Sequence, residues 1–411
     1  MLQYNFNYMY DNDSTEKLKK MAAYDYYYDK RPQILEVPNG IILPSNRLDR
    51  DAPFFGKGGV VTADGSFMKQ STLSTNLSGT LTFGGKYEYN EDELTIYDEP
   101  VIYMGPFVNH WGHLLADLLS RLWCLEFFPK NYKIAFCGVW DWEVHAEGQS
   151  KELLELIWGG GGYINVKRPS KFKKVYLPEE SLEWGTHYSE EYKRIYKRIV
   201  EKAKLDIPCY EKIYFTRSKL RNKKEFGEKG IEDFFSANGY KVFSPENMSA
   251  REQITLINRC KKFASIEGTI AHGIVFASDN EQEVEQIIIK KKKENNPRQP
   301  LFNSMIGASV VYIDAYVQPY NILPEIGQGP YLLKVNANLK NYARENGMIA
   351  PHIKYTVFLS DFVQYSYIYF RECIKRLQIK GRIRRKLSKI KILKVMYKKI
   401  KLIKSLRACG K

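Results

Sequence analysis

Hydrophobic positions along this chain recur with two spacings, and the change from one to the other marks out its elements. Between residues 56 and 105 short β-branched or aromatic runs punctuated by glycine and aspartate ("GKGGVVTADGSFMKQ", "GTLTFGGKYEYNEDE", "PVIYMG") read as strands and turns. "NHWGHLLADLLSRLW" (109–123) then predicts a helix that is apolar on nearly every side. After it, "YKIAFCGV" (132–139) predicts a buried strand, "SKELLELIWG" (150–159) a helix stopped by glycines, and "YINVKRP" and "FKKVYLP" further strands. "YSEEYKRIYKRIVEKAKL" (188–205) has helical spacing and ends before Pro208, which suits a helix bridging two domains.

The second half alternates more cleanly. Strands are expected at 212–218, 240–245, 262–267 and 285–290, and helices at 229–239, 249–260 and 268–278. Strands alternating with short helices at this spacing predict a parallel, doubly wound sheet. Such sheets bind ligands where strand carboxyl ends meet helix starts, which directs attention to Thr216–Asn222, Ser244–Asn247 and Ser265–His272. Residues 1–30, rich in Tyr, Asn and Asp, show no period and read as a frayed lead-in or a strand-poor surface layer.

Length and composition bound this picture. A chain of 411 residues exceeds one ordinary core and suits two domains. Its hydrophobic fraction of 44% places most of it in the globular class. Six scattered cysteines without a Cys-x-x-Cys pair read as free thiols in a reducing compartment and argue against a zinc module. The N-terminus lacks a basic start and apolar run, and nowhere do about 18 apolar residues follow one another, so neither secretion by a signal peptide nor a membrane span is expected.

The net charge of +16 is misleading as a property of the whole chain. Residues 371–411 hold 17 Lys/Arg and one Glu, which leaves the body neutral. Within that tail Ile383, Leu387, Ile390, Leu393, Tyr397, Ile400, Ile403 and Leu406 recur every three or four residues among the basic ones. This predicts a basic amphipathic helix, with residues 382–407 lying on an anionic membrane surface. Basic charge alone also permits a nucleic-acid-binding tail, but the apolar period and the neutral body favour the membrane, and no nucleic-acid partner is expected.

Against this background the polar residues of 109–123 stand out. At about 100° per residue His110, His113, Asp117 and Arg121 fall in one band about 80° wide. The plain reading is a solvated face with an Asp117–Arg121 pair. The functional reading is a cleft wall with a His or Asp as general base and Arg121 holding the carboxylate. Histidines three apart, with no further ligand nearby, are a weak metal signal.

In the second half Arg217 lies just past a strand with Lys219 and Arg221 behind it, where basic groups can neutralise a diphosphate. Ser249 and Glu252 form a capping box that leaves Glu246 unexplained. "ASIEGTIAHG" places Glu267, Gly268 and Thr269 at a strand end before a helix start suited to an anion, with His272 one turn inside. Glu267 is suited to accept from ribose hydroxyls. A Gly-x-Gly-x-x-Gly fingerprint and a Walker lysine loop are both missing.

Taken in order, "YMGPFVNHWGHLLADLLSRLW", the run from "IYFTRSKLRNKKEFGEKG" to "EGTIAHGIVFAS", "RQPLFNSMIGASVVYIDAY" and "GQGPYLL" resemble bacterial members of glycosyltransferase family 61, capsular polysaccharide biosynthesis proteins, over roughly residues 95–335. The resemblance implies an α/β fold of GT-B type, two Rossmann-like domains facing a cleft, with a C-terminal helix crossing back to the first domain. It implies inverting, metal-independent transfer from a nucleotide-sugar, with no cofactor beyond that substrate. The expected organisation is an acceptor-side domain with its bridging helix over 1–205, a nucleotide-sugar domain over 206–340, a crossover helical segment over 341–376 and the basic tail over 377–411. His110, His113, Asp117 and Arg121 carry over as catalytic, with His113 or Asp117 as base and Arg121 holding Asp117. Arg217, Lys219, Arg221, Glu246, Glu267, Gly268, Thr269 and His272 are expected to bind the nucleotide-sugar. Eukaryotic relatives have His-Gly where this chain has Glu267-Gly268, a departure at the nucleotide contact. The expected acceptor is a growing capsule or lipopolysaccharide-type glycan, or its lipid-linked form, at the cytoplasmic face of the membrane. The residues by themselves leave open a sugar-nucleotide-binding protein without turnover and a nucleic-acid-binding protein acting through its tail.

Overall fold

The computed structural model describes residues 3–74, 81–139, 147–183, 186–220, 224–278, 283–320, 329–351 and 355–376. Arg221 and the basic tail 377–411, including 382–407, lie outside the described residues. The chain is a mixed α/β structure with two large sheets.

In the first sheet Tyr163–Asn165, Lys133–Gly138, Thr95–Phe107 and Ser170–Pro178 run side by side and parallel, so their sequence order across the sheet is 3-2-1-4. Past Ser170–Pro178 the sheet continues antiparallel through Ile41–Asn46, Lys57–Val61 and Phe67–Met68, with Ile34–Pro38 also paired to Ser170–Pro178. The order reverses between Thr95–Phe107 and Ser170–Pro178, both of which start from that point and run towards one rim.

The second sheet is wholly parallel: Lys241–Phe243, Lys212–Phe215, Lys262–Ile266, Glu285–Lys290, Ser309–Asp314 and Tyr4–Tyr8. Its central strands carry continuous apolar runs such as Ile287, Ile288 and Ile289, all buried, as a sheet covered on both faces requires. The order reverses between Lys212–Phe215 and Lys262–Ile266. The lead-in departs from its sequence reading here. Tyr4–Tyr8 is an edge strand of this second sheet, and helix Asn12–Ala22, capped by Asp11, follows it. Tyr8 packs edge-on against Tyr342 at 5.3 Å, so a stretch without visible period is ordered by long-range aromatic packing.

The halves share a core. One buried cluster runs from Val101 and Leu114 through Tyr192 and Ile199 to Phe215, Ile257, Phe263 and Phe276. Helix Glu190–Ala203, expected to bridge, is a central member of that core, burying Tyr192, Ile195, Tyr196, Ile199 and Val200. Helices Gly148–Ile157 and Ala250–Arg259 meet across the boundary. There Glu152, in the first half, accepts from Ala250 N–H (2.7 Å) and Arg251 N–H (3.1 Å), and so caps a helix of the second half. The Ser249–Glu252 capping box is present on the same helix.

Two expected helices differ. Residues 109–123 form a single α-turn at Trp111–His113, a π-turn at Leu114–Leu118 and a 3₁₀ stretch at Leu122–Phe127. A π-turn widens the spacing to i→i+5, so a projection at 100° per residue fails beyond it. Its backbone is held from the bridging helix: Tyr192 Oη donates to Leu115 O (2.7 Å), and Tyr196 Oη donates to the same carbonyl. Residues 268–278 form a turn and then a seven-residue 3₁₀ stretch, Ala271–Ala277, entirely buried. The helix expected to cross back, Tyr355–Arg376, instead packs Tyr365, Tyr369 and Cys373 on Phe226 and Leu332 of the second half. Among the described residues no helix is long and apolar enough to cross a membrane, and Cys124, Cys137, Cys209, Cys260 and Cys373 are free thiols.

Candidate functional site

A cleft of about 670 Å³ opens at the strand-order reversal of the second sheet, with His110, just past Thr95–Phe107 of the first, in its lining. Such a reversal leaves a crevice because the connecting segments leave in opposite directions. At its floor Phe215 pairs with Ser265, so Arg217 and Glu267 emerge as neighbours at the strand ends. Among the described residues five cationic side chains line the cleft, Arg217, Lys224, Lys291, Lys292 and Arg298, with two carboxylates, Glu225 and Glu267. This excess suits a dianionic ligand.

Each of these groups is placed by local chemistry. The buried Glu228, at the start of helix Glu228–Ala237, accepts from Arg217 N–H (2.8 Å), which fixes the backbone from which Arg217 reaches the cleft. Glu225, on the short strand Glu225–Phe226, lies 3.0 Å from Lys291 Nζ and 3.6 Å from Arg217 Nε and spaces the two cations. Burial pushes the Glu225 carboxyl up, but Lys291 and Arg217 outweigh it and hold it below its ordinary value. Glu267 is 3% exposed; one oxygen accepts from Asn296 N–H (3.0 Å), while Oε2 is buried without a hydrogen-bond partner. Burial raises its carboxyl, opposed by Lys290. Gly268 follows at φ +124°, in a region that a side chain would strain.

The segment 291–298 is tied from behind. The wholly buried Lys290 donates to Asn295 Oδ1 (2.6 Å), Lys293 O (3.1 Å) and Ser14 Oγ (3.1 Å), all three of its hydrogens being used. Ser14 belongs to the N-terminal helix, so the lead-in shapes the loop that brings Lys291, Lys292 and Arg298 to the cleft.

Three histidines, His113, His110 and His272, are each wired differently. His113 Nδ1 lies 2.7 Å from Asp117 Oδ2; Asp117 is fully buried, whereas the His113 side chain is 26% exposed. A carboxylate on Nδ1 holds the proton there and leaves Nε2 as a base. His110 Nδ1 accepts from His113 N–H (3.3 Å), which puts the proton of the neutral ring on Nε2. Burial first, then His113, Arg298 and Arg217, lower the His110 pKa and keep it neutral. His272 is buried with Nδ1 2.9 Å from Gln299 Oε1; Gln299 Nε2 donates to Ala271 O (3.3 Å), so its oxygen faces His272 and accepts from Nδ1–H. Burial, then Arg298, drops the His272 pKa to about 3.

Arg121 does not hold Asp117. Its guanidinium donates to Pro178 O (2.5 Å) and Thr72 O (2.7 Å) and lies 3.5 Å from Glu180, within the first half. The cation on Asp117 is Arg298, with Nη2 3.3 Å from Oδ2. The broken helix explains the exchange: past the π-turn, residue 121 points away from the band that contained it in projection. Glu180, beside Arg121, is pushed up to about 7 by burial.

Of the expected nucleotide ligands, Arg217, Glu267, Gly268, Thr269 and His272 line the cleft, joined by His110. Lys219 is exposed outside it, and Glu246 lines a separate recess with Asn109 and Trp111. The anion site expected at a helix start after Gly268 is replaced by side-chain cations, because a short 3₁₀ stretch follows. Lys224, Glu225, Lys291, Lys292, Asn296 and Arg298 escape the sequence reading. The signal for two of them was there: "EQIIIKKKK" is a strand running into basic residues, as at Arg217. Among the described residues no three His, Cys, Asp or Glu side chains group closely enough to hold a metal ion.

Residues 111–290 match the family model described as Glycosyltransferase 61. That segment is a family 61 glycosyltransferase domain, and the protein is a glycosyltransferase. The matched segment starts within His-Trp-Gly-His and ends at Lys290, so it contains both Asp117 and Glu267 but stops short of Arg298. A comparison with curated proteins finds no match. Within the family 61 segment the two motifs touch: a Cβ on Gly112 would lie 2.7 Å from Thr269 Oγ1, so glycine lets the halves approach at the cleft.

Proposed function

We propose that this family 61 enzyme is an inverting, metal-independent transferase of GT-B architecture that moves a sugar from a nucleotide-sugar to a growing surface glycan, of capsule or lipopolysaccharide type. The observation that carries the reading is the cation-lined cleft together with an Asp-oriented histidine, His113, whose ring lies 5.1 Å from that of the cleft residue His110.

Arg217, Lys224, Lys291 and Lys292 bind the diphosphate, and Glu267 Oε2 accepts from a ribose hydroxyl. His113 Nε2 takes the proton of the acceptor hydroxyl as its oxygen attacks the anomeric carbon from the face opposite the leaving group. The bond from that carbon to the diphosphate oxygen breaks, and the electron pair stays on the phosphate, where the cations stabilise it. Asp117 keeps the proton of His113 on Nδ1 and stabilises the imidazolium that forms. His110 offers a neutral N–H to the donor. No cofactor is required beyond the nucleotide-sugar.

The enzyme is further proposed to work on the cytoplasmic face of the membrane, docked through residues 382–407, with no nucleic-acid partner. Full-length protein should sediment with anionic liposomes and a 1–375 form should stay in solution; equal sedimentation refutes the docking. For the reaction, nucleotide-sugars are screened by thermal shift and then for transfer. One nucleotide should raise the melting temperature, and His113→Gln should retain that shift while losing transfer by roughly 10²–10⁴-fold. Absence of any nucleotide-dependent shift refutes the donor site.

A further inference from the structure

Arg298 stands where the acceptor side and the donor side of the site meet. Its Nη2 lies 3.3 Å from Asp117 Oδ2, the same oxygen that His113 Nδ1 reaches at 2.7 Å, and its side chain also lines the cation-rich cleft. Asp117 is fully buried, so its single charge is divided between a histidine and an arginine where screening is weak. The backbone of Arg298 is fixed by its N–H donating to Asn296 Oδ1 (3.0 Å), while the side chain has two claimants within reach, a carboxylate now and a diphosphate when the cleft fills. Arginine suits such sharing, because its planar fork presents donors in more than one direction.

We propose that Arg298 is the cation that Asp117 and the donor's diphosphate share, so that donor binding draws it off Asp117 and leaves that carboxylate to His113 alone. This rests on the transferase reading above and adds to it an order of events. With the cleft empty, the carboxylate that orients the base is partly neutralised; with the donor bound, it is fully committed to His113. The acceptor base is therefore completed only after the sugar to be transferred is in place.

The test uses the full chain and inorganic pyrophosphate, with binding measured by calorimetry and the His113 Nδ1 proton followed by NMR. That proton sits in a short bond to a carboxylate and resonates downfield; His113→Gln identifies it by removing it. Bound pyrophosphate should move it further downfield in the wild type. In Arg298→Gln the resonance should already stand at the shifted position and ignore pyrophosphate, which should bind roughly tenfold more weakly or worse. Arg298→Lys, which keeps the charge, should restore a response in the same direction. Failure of pyrophosphate to bind at all overturns the donor site itself. Binding that leaves the wild-type resonance in place, or an undiminished response in an Arg298→Gln protein with unchanged melting temperature, overturns the sharing alone.

Discussion

Asp117 and Arg121 are four positions apart and have opposite charges, yet they do different jobs. Arg121 is 2% exposed and bound to two carbonyls and Glu180, so Arg121→Ala leaves buried acceptors unpaired. The expected cost is about 3–5 kcal/mol of stability, read as a fall in melting temperature, with nucleotide affinity of the remaining folded protein unchanged. A large loss of affinity without loss of stability would instead place Arg121 in the site. His272 carries a second prediction. The folded protein holds it neutral with its pKa down at about 3, whereas the unfolded chain protonates it near 6.5. Its contribution to stability is thus fully present above 6.5 and is lost as pH falls from there towards 3. Denaturant titrations of His272→Gln should show a shallower loss of stability across that window, and an identical slope would contradict the assignment.

Elements meet at the cleft through the pair Gly112 and Thr269. A methyl on Gly112 would press Thr269 Oγ1 at 2.7 Å and Cγ2 at 3.1 Å. Gly112→Ala should weaken donor binding by pushing the turn after Gly268 away from His110. Thr269→Ala removes the two Thr269 atoms and leaves His110 Cε1, at 3.2 Å, so the double variant should recover part of the lost affinity, and strict additivity in the cycle would refute the contact. The same scale shows how much was legible. The strands Lys212–Phe215, Lys262–Ile266 and Glu285–Lys290 and the capped helix Ala250–Arg259 follow their sequence patterns closely, since alternation of short apolar runs and capping chemistry are local. The segment after Asn109 and the turn after Gly268 do not, because a π-turn held by two distant tyrosines and a buried 3₁₀ stretch are set by contacts that no local period encodes.

At the scale of the molecule, one apolar cluster spans both large sheets, and Glu152 and Gln149 bolt the halves with hydrogen bonds to Ala250, Arg251, Pro245 and Met248. Unfolding should therefore be a single cooperative transition, checked by calorimetric and van't Hoff enthalpies that agree; two resolved transitions would mean that the halves are separate units. The sequence by itself determined the α/β class, the parallel second sheet, and Arg217, Glu267 and the His110–Asp117 stretch as the chemistry to watch, because strand and helix periods, strand-end charges and rare residue types are properties of neighbouring positions. Only the tertiary structure decided which cation serves Asp117, that the N-terminal strand completes the second sheet, and that Lys290 shapes the loop carrying Arg298. Asp117 and Arg298 are 181 positions apart, and Lys290 is anchored on Ser14, 276 positions away. At such separations the choice among equally charged partners is made by packing, where a bulged turn swings one arginine away and a buried lysine swings another in.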